Sequence, residues 1–229
     1  MFISHRVNFL NSEIANKVFS ESDGIEFDIR DVGGMIVVTH DPYAFLQSAQ
    51  PFETFLAFCP ADKFYIVNVK CEGVAERAIH LLEARGIRQF FILDCGIPEL
   101  VKLAVRGGER RFAVRFSEYE SLASVEALAP YVDWVWVDCF TRLPLTYDTY
   151  WALRWMNLRL CLVSPDLQGR AEDIPAHIRQ LKDGVMPMDA VCAKHSTRGV
   201  WRSASVLSPC PSSPVRVPRH LTEGSGFPV

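Results

Sequence analysis

Glu26-Phe27-Asp28-Ile29-Arg30-Asp31-Val32-Gly33-Gly34-Met35-Ile36-Val37-Val38-Thr39-His40-Asp41 decides how this chain is read. An apolar run carries two carboxylates two positions apart, a glycine pair interrupts it, and a second apolar run ends in His-Asp. Residues two apart on a strand point to the same side. Glu26 and Asp28 therefore project together, while Ile25, Phe27 and Ile29 face into packing. The turn at residues 31–34 uses the freedom of glycine at positive φ, so residues 35–40 read as a hairpin extension of the strand. Two neighbouring buried carboxylates repel and are costly unless neutralised. A divalent cation with oxygen ligands is the usual remedy.

Outward from this stretch, short apolar or β-branched runs recur at residues 2–6, 24–30, 64–70, 89–94, 111–116, 132–138, 158–164 and 189–194. Helix-like segments fill the gaps. Residues 73–85 carry an apolar stripe of Val74, Ala78, Leu81 and Leu82, with Gly86 placed as the C-cap. Ser117 to Glu120 matches a capping box, which predicts a helix from there to Leu128, before Pro130. Residues 11–20, 98–105, 147–155 and 172–181 complete the set. Strands alternating with helices predict a parallel α/β sheet, and at this length a (β/α)8 TIM barrel with the hairpin after strand two. An open doubly wound sheet is the alternative, but no G-x-G-x-x-G follows the first strand. The barrel is expected over residues 1–197 as a single domain. Residues 198–229 are rich in Ser and Pro and read as an irregular, disordered tail.

The 229 residues are 49% hydrophobic and 22% charged, with a net charge of -3. That is ordinary globular composition, and it gives no basic stripe for nucleic acid. No apolar run approaches the length of a membrane span, and the first residues lack a signal-peptide layout, so a cytoplasmic protein is expected. Seven cysteines without a C-x-x-C pair read as free thiols rather than disulfides or zinc ligands. Trp134 and Trp136 are expected to serve core and outer packing. His80, His177, His195 and His220 are given no role. Nothing singles out an oligomer surface.

In a (β/α)8 barrel the site lies at the C-terminal ends of the strands. Those ends carry His5-Arg6, Glu26 and Asp28, His40-Asp41, Asn68-Val69-Lys70, Asp94, Arg115 with Glu118, Asp138, Ser164 with Asp166, and Lys194. Taken singly, each has a structural reading, such as a buried Asp94–Arg115 pair. As a set of acids, histidines and cations at one mouth, they point to chemistry on an anionic substrate.

His5-Arg6 after the first strand, Glu26-x-Asp28 on the second, the glycine turn before His40-Asp41, and x-x-Lys70 on the third resemble the glycerophosphodiester phosphodiesterase family. This family belongs to the PLC-like phosphodiesterase barrels. The resemblance covers the first 70 or so residues in motif terms. It implies that His5 and His40 act as general acid and base, that Arg6 and Lys70 hold the phosphate, and that a divalent cation, Mg2+ or Ca2+, binds Glu26, Asp28 and Asn68. It thus implies a hydrolase of a small phosphodiester in lipid metabolism. Two positions depart from the pattern. The family's Glu-x-Lys is Asn68-Val69-Lys70, which keeps an oxygen donor but loses a charge, so metal affinity should fall. Its His-Arg-Gly is His5-Arg6-Val7, which leaves the backbone less free to approach a ligand. A barrel that binds a phosphorylated metabolite or partner without turnover, and a barrel enzyme of another reaction class, are the alternative readings.

Overall fold

The structure, a computed structural model, describes residues 1–42 and 49–208. Among the described residues ten strands form one sheet: β1 (Phe2–Ser4), β2 (Gly24–Val32), β3 (Met35–Val38), β4 (Gln50–Pro51), β5 (Phe64–Val69), β6 (Phe90–Leu93), β7 (Ala113–Phe116), β8 (Trp134–Val137), β9 (Arg159–Val163) and β10 (Ala190–Ala193). Eight of them run parallel in the order β1-β2-β5-β6-β7-β8-β9-β10 and return to β1 through Phe2 opposite Val191. Among the described residues, the pairing between β6 and β7 is a single isolated bridge, Ile92 to Phe112. This is the expected (β/α)8 barrel.

The hairpin extension is present as well. β3 pairs antiparallel with β2, with Val32 opposite Met35, so the loop is Gly33-Gly34 alone. Both glycines have positive φ, 62° and 87°, as a two-residue hairpin turn demands. β4 then adds a short second return that carries no signal in the sequence. At the other end of β2, a Cβ on Gly24 would lie 2.1 Å from the Phe64 carbonyl oxygen, so β2 and β5 approach as closely as they do only because glycine stands there.

The alternation of strand side chains divides the core in two. Ile3, Phe64, Ile66, Phe91, Leu93, Trp134 and Trp136 fill the barrel interior, with Phe64, Phe91 and Trp134 in mutual ring contact at 5.1–5.8 Å. The intervening positions pack outward against the helices. Trp134 and Trp136 share one strand face, so both point inward, and the expected outer packing role falls away.

The helices are α1 (Ser12–Glu21), α2 (Phe52–Leu56), α3 (Ala75–Ala84), α4 (Ile97–Leu100), α5 (Leu122–Leu128), α6 (Tyr147–Trp155), α7 (Ile174–Asp183) and α8 (Arg198–Ser203). α4 widens into π geometry over Val101–Arg106. The helix expected at Ser117 starts later. Ser117 Oγ donates to Glu120 Oε2 at 2.7 Å inside a turn, and the N-cap is Ser121, whose hydroxyl accepts the Ser124 N–H. The two residues of the supposed capping box bond to each other and leave the helix to a later cap.

The tail reading also needs correcting at its start. α8 lies beyond the expected boundary at 197, and Trp201 on it is fully buried, donating from Nε1 to Ser164 Oγ at 2.9 Å. Ala204 and Val206 are buried too, and Leu207 bridges Met188. Apolar side chains too few to show a period still found a surface to cover. Residues 209–229 lie outside the described residues. No helix among the described residues is long and apolar enough to cross a membrane. The described cysteines are free thiols, with Cys139, Cys161 and Cys192 buried; Cys210 lies outside the described residues.

Candidate active site at the strand ends

β2 sends Glu26 and Asp28 to the barrel interior side at its C-terminal end, where each is 1% exposed. β5 runs beside it with Asn68 directly opposite Asp28, which places the amide on the same face as both carboxylates. Asn68 Nδ2 donates to Glu26 Oε1 at 2.9 Å. The turn after β1 supplies the next layer. Arg6 adopts a left-handed φ of 53°, and its N–H donates to Glu26 Oε2 at 2.8 Å. The strained residue is thus Arg6 itself, and the bond to a buried carboxylate helps hold it there.

Cations and imidazole close over the pair. Lys70 Nζ lies 3.5 Å from Asp28 Oδ1, and Arg6 Nε lies 3.8 Å from Asp28 Oδ2. His5 Nε2 stands 3.7 Å from Glu26 Oε2. Burial pushes the His5 imidazole down to about 4, and the Arg6 and Lys70 charges push the same way, so its ring is neutral at physiological pH. Burial, and then the charge of Asp28, raise the Glu26 carboxyl above the ordinary range. The structure thus brings His5, Arg6, Glu26, Asp28, Asn68 and Lys70 together.

His40 stands apart. Its ring is half-exposed and pairs with Asp41 at 3.1 Å, with no contact to the carboxylate pair among the described residues. Its backbone is anchored at the mouth, because the carbonyl accepts Arg30 Nε at 3.0 Å and the preceding Thr39 N–H donates to the Asp28 carbonyl.

Two further features belong to the site. Asn8 and Asp28 bond reciprocally, with Asn8 Nδ2 donating to Oδ2 at 2.8 Å and the Asp28 N–H donating to Asn8 Oδ1 at 2.9 Å. Nothing in the irregular stretch after β1 marks Asn8 in advance. A charge relay also extends the site across β6, β7 and β8. Lys70 Nζ donates to Asp94 Oδ2 at 3.1 Å, and Arg115 holds Asp94 with two bonds, at 2.6 and 3.0 Å. A third Arg115 bond reaches Asp138 Oδ2 at 2.8 Å. Asp166 and Lys194 sit on the opposite side of the mouth, where the Lys194 N–H donates to Asp166 Oδ2. His195, given no role from sequence, bonds Ser4 Oγ at 3.0 Å and Glu21 Oε2 at 2.5 Å, clamping the start of α8 to β1 and α1.

The described residues gather no three His, Cys, Asp or Glu side chains at metal-binding spacing. The donor set here has two carboxylates and an amide instead. Asn68 Oδ1 is buried with no hydrogen-bond partner, beside two buried carboxylates. A buried orphan oxygen carries an unpaid desolvation cost, which a hard cation would relieve. On that observation the residues fit a divalent ion.

No family model and no curated protein matches the sequence. Solved structures do match. A glycerophosphodiester phosphodiesterase from Thermotoga maritima is 14% identical with a TM-score of 0.63, covering 88% of this chain and 97% of that one. A glycerophosphoryl diester phosphodiesterase from Parabacteroides distasonis is 12% identical with a TM-score of 0.62, covering 92% and 89%. A glycerophosphodiester phosphodiesterase from Agrobacterium tumefaciens is 13% identical with a TM-score of 0.60, covering 85% and 96%. At these identities the likeness establishes a shared fold. The chain is a (β/α)8 barrel of the architecture those phosphodiesterases use.

Proposed function

We propose that the chain is a phosphoric diester hydrolase acting on a glycerophosphodiester-like substrate with a divalent cation, Mg2+ or Ca2+, held by Glu26, Asp28 and Asn68. The observation that carries this reading is the buried Glu26–Asp28 pair flanked by Lys70, Arg6 and His5 within 3.5–3.8 Å. The fold shared with solved glycerophosphodiester phosphodiesterases supports it.

A phosphodiester is an anion that repels nucleophiles. Lys70 and Arg6 hold its phosphate and offset the charge that builds in the transition state. The neutral His5 ring takes a proton from the attacking hydroxyl. His40, whose backbone is anchored at the mouth, gives one to the leaving alkoxide. When bound, the cation polarises a phosphoryl oxygen and adds to this neutralisation. The free thiols of the described cysteines fit a reducing, cytoplasmic setting.

A second reading, a barrel that binds phosphate esters without turnover, is favoured by Asn68 spending its N–H on Glu26. Turnover separates the two. The wild type should hydrolyse glycerophosphodiesters or bis(p-nitrophenyl) phosphate with Mg2+, Ca2+ or Mn2+, and His5→Ala should slow it about 10²–10⁴-fold. Background rates for the wild type with every metal, alongside measurable ester binding, would leave the binding reading in its place.

A further inference from the structure

The barrel has one weak seam. Each other neighbouring pair of barrel strands shares at least two register pairs, but among the described residues the pairing between β6 and the start of β7 is the single bridge from Ile92 to Phe112. Beyond that bridge, toward the mouth, the two strands part. Asp94 at the end of β6 and Arg115 on β7 span the gap with side chains instead of backbone, through bonds of 2.6 and 3.0 Å. Asp94 itself adopts a left-handed φ of 62°.

The parting opens a cavity of about 400 Å³ between α4 and α5. Its inner wall is the Asp94–Arg115 pair, and the same Asp94 touches Lys70 Nζ at 3.1 Å. The cavity and the phosphate-holding end of the site therefore share Asp94. Its outer walls include Ile97, Leu100, Val114 and Leu128, and Ile97 is 58% exposed.

The charges decide what can enter. Arg115 is the cation of the lining, and it is spent on Asp94 and Asp138. Both Asp94 oxygens are likewise taken, by Arg115 and Lys70. Glu120 adds a further negative charge, 4.0 Å from Arg115. A second anionic group would meet two carboxylates and a cation already committed to them, whereas apolar surface gains burial.

We propose that this split seam is the subsite for one alcohol moiety of the phosphodiester, and that it takes an uncharged, partly apolar alcohol bulkier than glycerol, such as an aryl or branched alkyl group. The proposal rests on the phosphate reading of Lys70 and Arg6, and its test separates the two. Dimethyl phosphate and methyl phenyl phosphate are both monoanionic diesters that differ in one alcohol, and their binding to the full chain can be measured by calorimetry or by competition. The wild type binds the phenyl ester about tenfold more tightly, the scale expected for burying part of a ring. Ser124→Trp, which fills the cavity from an exposed position on α5, abolishes the advantage and leaves dimethyl phosphate binding unchanged. Ile97→Ser, at the exposed lip, reduces it independently. Equal binding of the two esters by the wild type, or an advantage that survives both substitutions in folded protein, overturns the subsite while the phosphate reading stands. Binding of neither ester overturns the phosphate reading and this subsite with it.

Discussion

Asn68→Asp exchanges an amide NH2 for an oxygen at the centre of the site and should strengthen the protein's response to divalent ions. In the native chain the amide donates to Glu26 Oε1 at 2.9 Å, from a position 7% exposed to solvent. The substitution removes that donor, and a hydrogen bond to a buried carboxylate is worth about 1.5–3 kcal/mol. It also sets a third carboxylate beside the two already buried there. Two unit charges about 4 Å apart repel by about 4 kcal/mol at an effective dielectric near 20. The fold avoids most of this by retaining a proton on Glu26, whose carboxyl burial already pushes upward. The metal-free variant should therefore lose about 2–3 kcal/mol, from the lost bond and part of the repulsion. For a chain of this size that lowers the melting midpoint by about 4–12 °C in EDTA. Added Mg2+ or Ca2+ should then restore more stability to the variant than to the wild type, because the added charge strengthens the ion site. Differential scanning calorimetry with and without EDTA reads both effects without any activity. A metal-free midpoint within about 2 °C of wild type, with the same response to both ions, would refute the placement of Asn68 against the carboxylates.

Trp201→Ala should cost about 3–5 kcal/mol by urea denaturation, because it empties a fully buried site and orphans the Ser164 hydroxyl; a loss below about 1 kcal/mol would show that α8 does not pack on the barrel in solution. Glu118 makes a pH prediction. Burial pushes its carboxyl up, but the N–H groups of Thr141 and Arg142 and the Thr141 hydroxyl outweigh this and hold it down to about 2. A depressed carboxyl stabilises above its unfolded value and loses that contribution as pH falls through its folded one. The wild type should thus lose about 1 kcal/mol more than Glu118→Gln between about pH 4.5 and 2, after discounting for solvent screening; parallel stability–pH curves would count against the pairing. Asp94→Asn removes the negative charge shared by Lys70 and Arg115, leaving two cations with a single neutral acceptor oxygen between them. Bis(p-nitrophenyl) phosphate turnover should show a severalfold change in KM for that variant, and unchanged kinetics would place the relay outside the substrate's reach.

What could be read in advance follows from which interactions are periodic. The eight barrel strands and the β2–β3 hairpin announce themselves because alternation and a Gly33-Gly34 turn are local. The same logic places Glu26, Asp28 and Asn68 on one face, since strand parity alone fixes where a side chain points. Features set by partners distant in sequence stay hidden. Asn8 reaches Asp28 from an irregular turn, and its reciprocal bonds depend on how that turn crosses β2. Trp201 lies in a segment whose composition reads as tail, yet the groove beside Ser164 makes six residues of helix worth ordering. Ser117 and Glu120 show the opposite failure, a true local motif whose side chains close a turn instead of capping a helix. The β6–β7 seam is the sharpest case. Both strands are legible, but the loss of their ladder above Ile92 depends on closing eight twisted strands at once. That gap determines what lies beside Lys70: Asp94 and Arg115 span it with side chains where backbone pairing is missing, and together they form one wall of the neighbouring cavity.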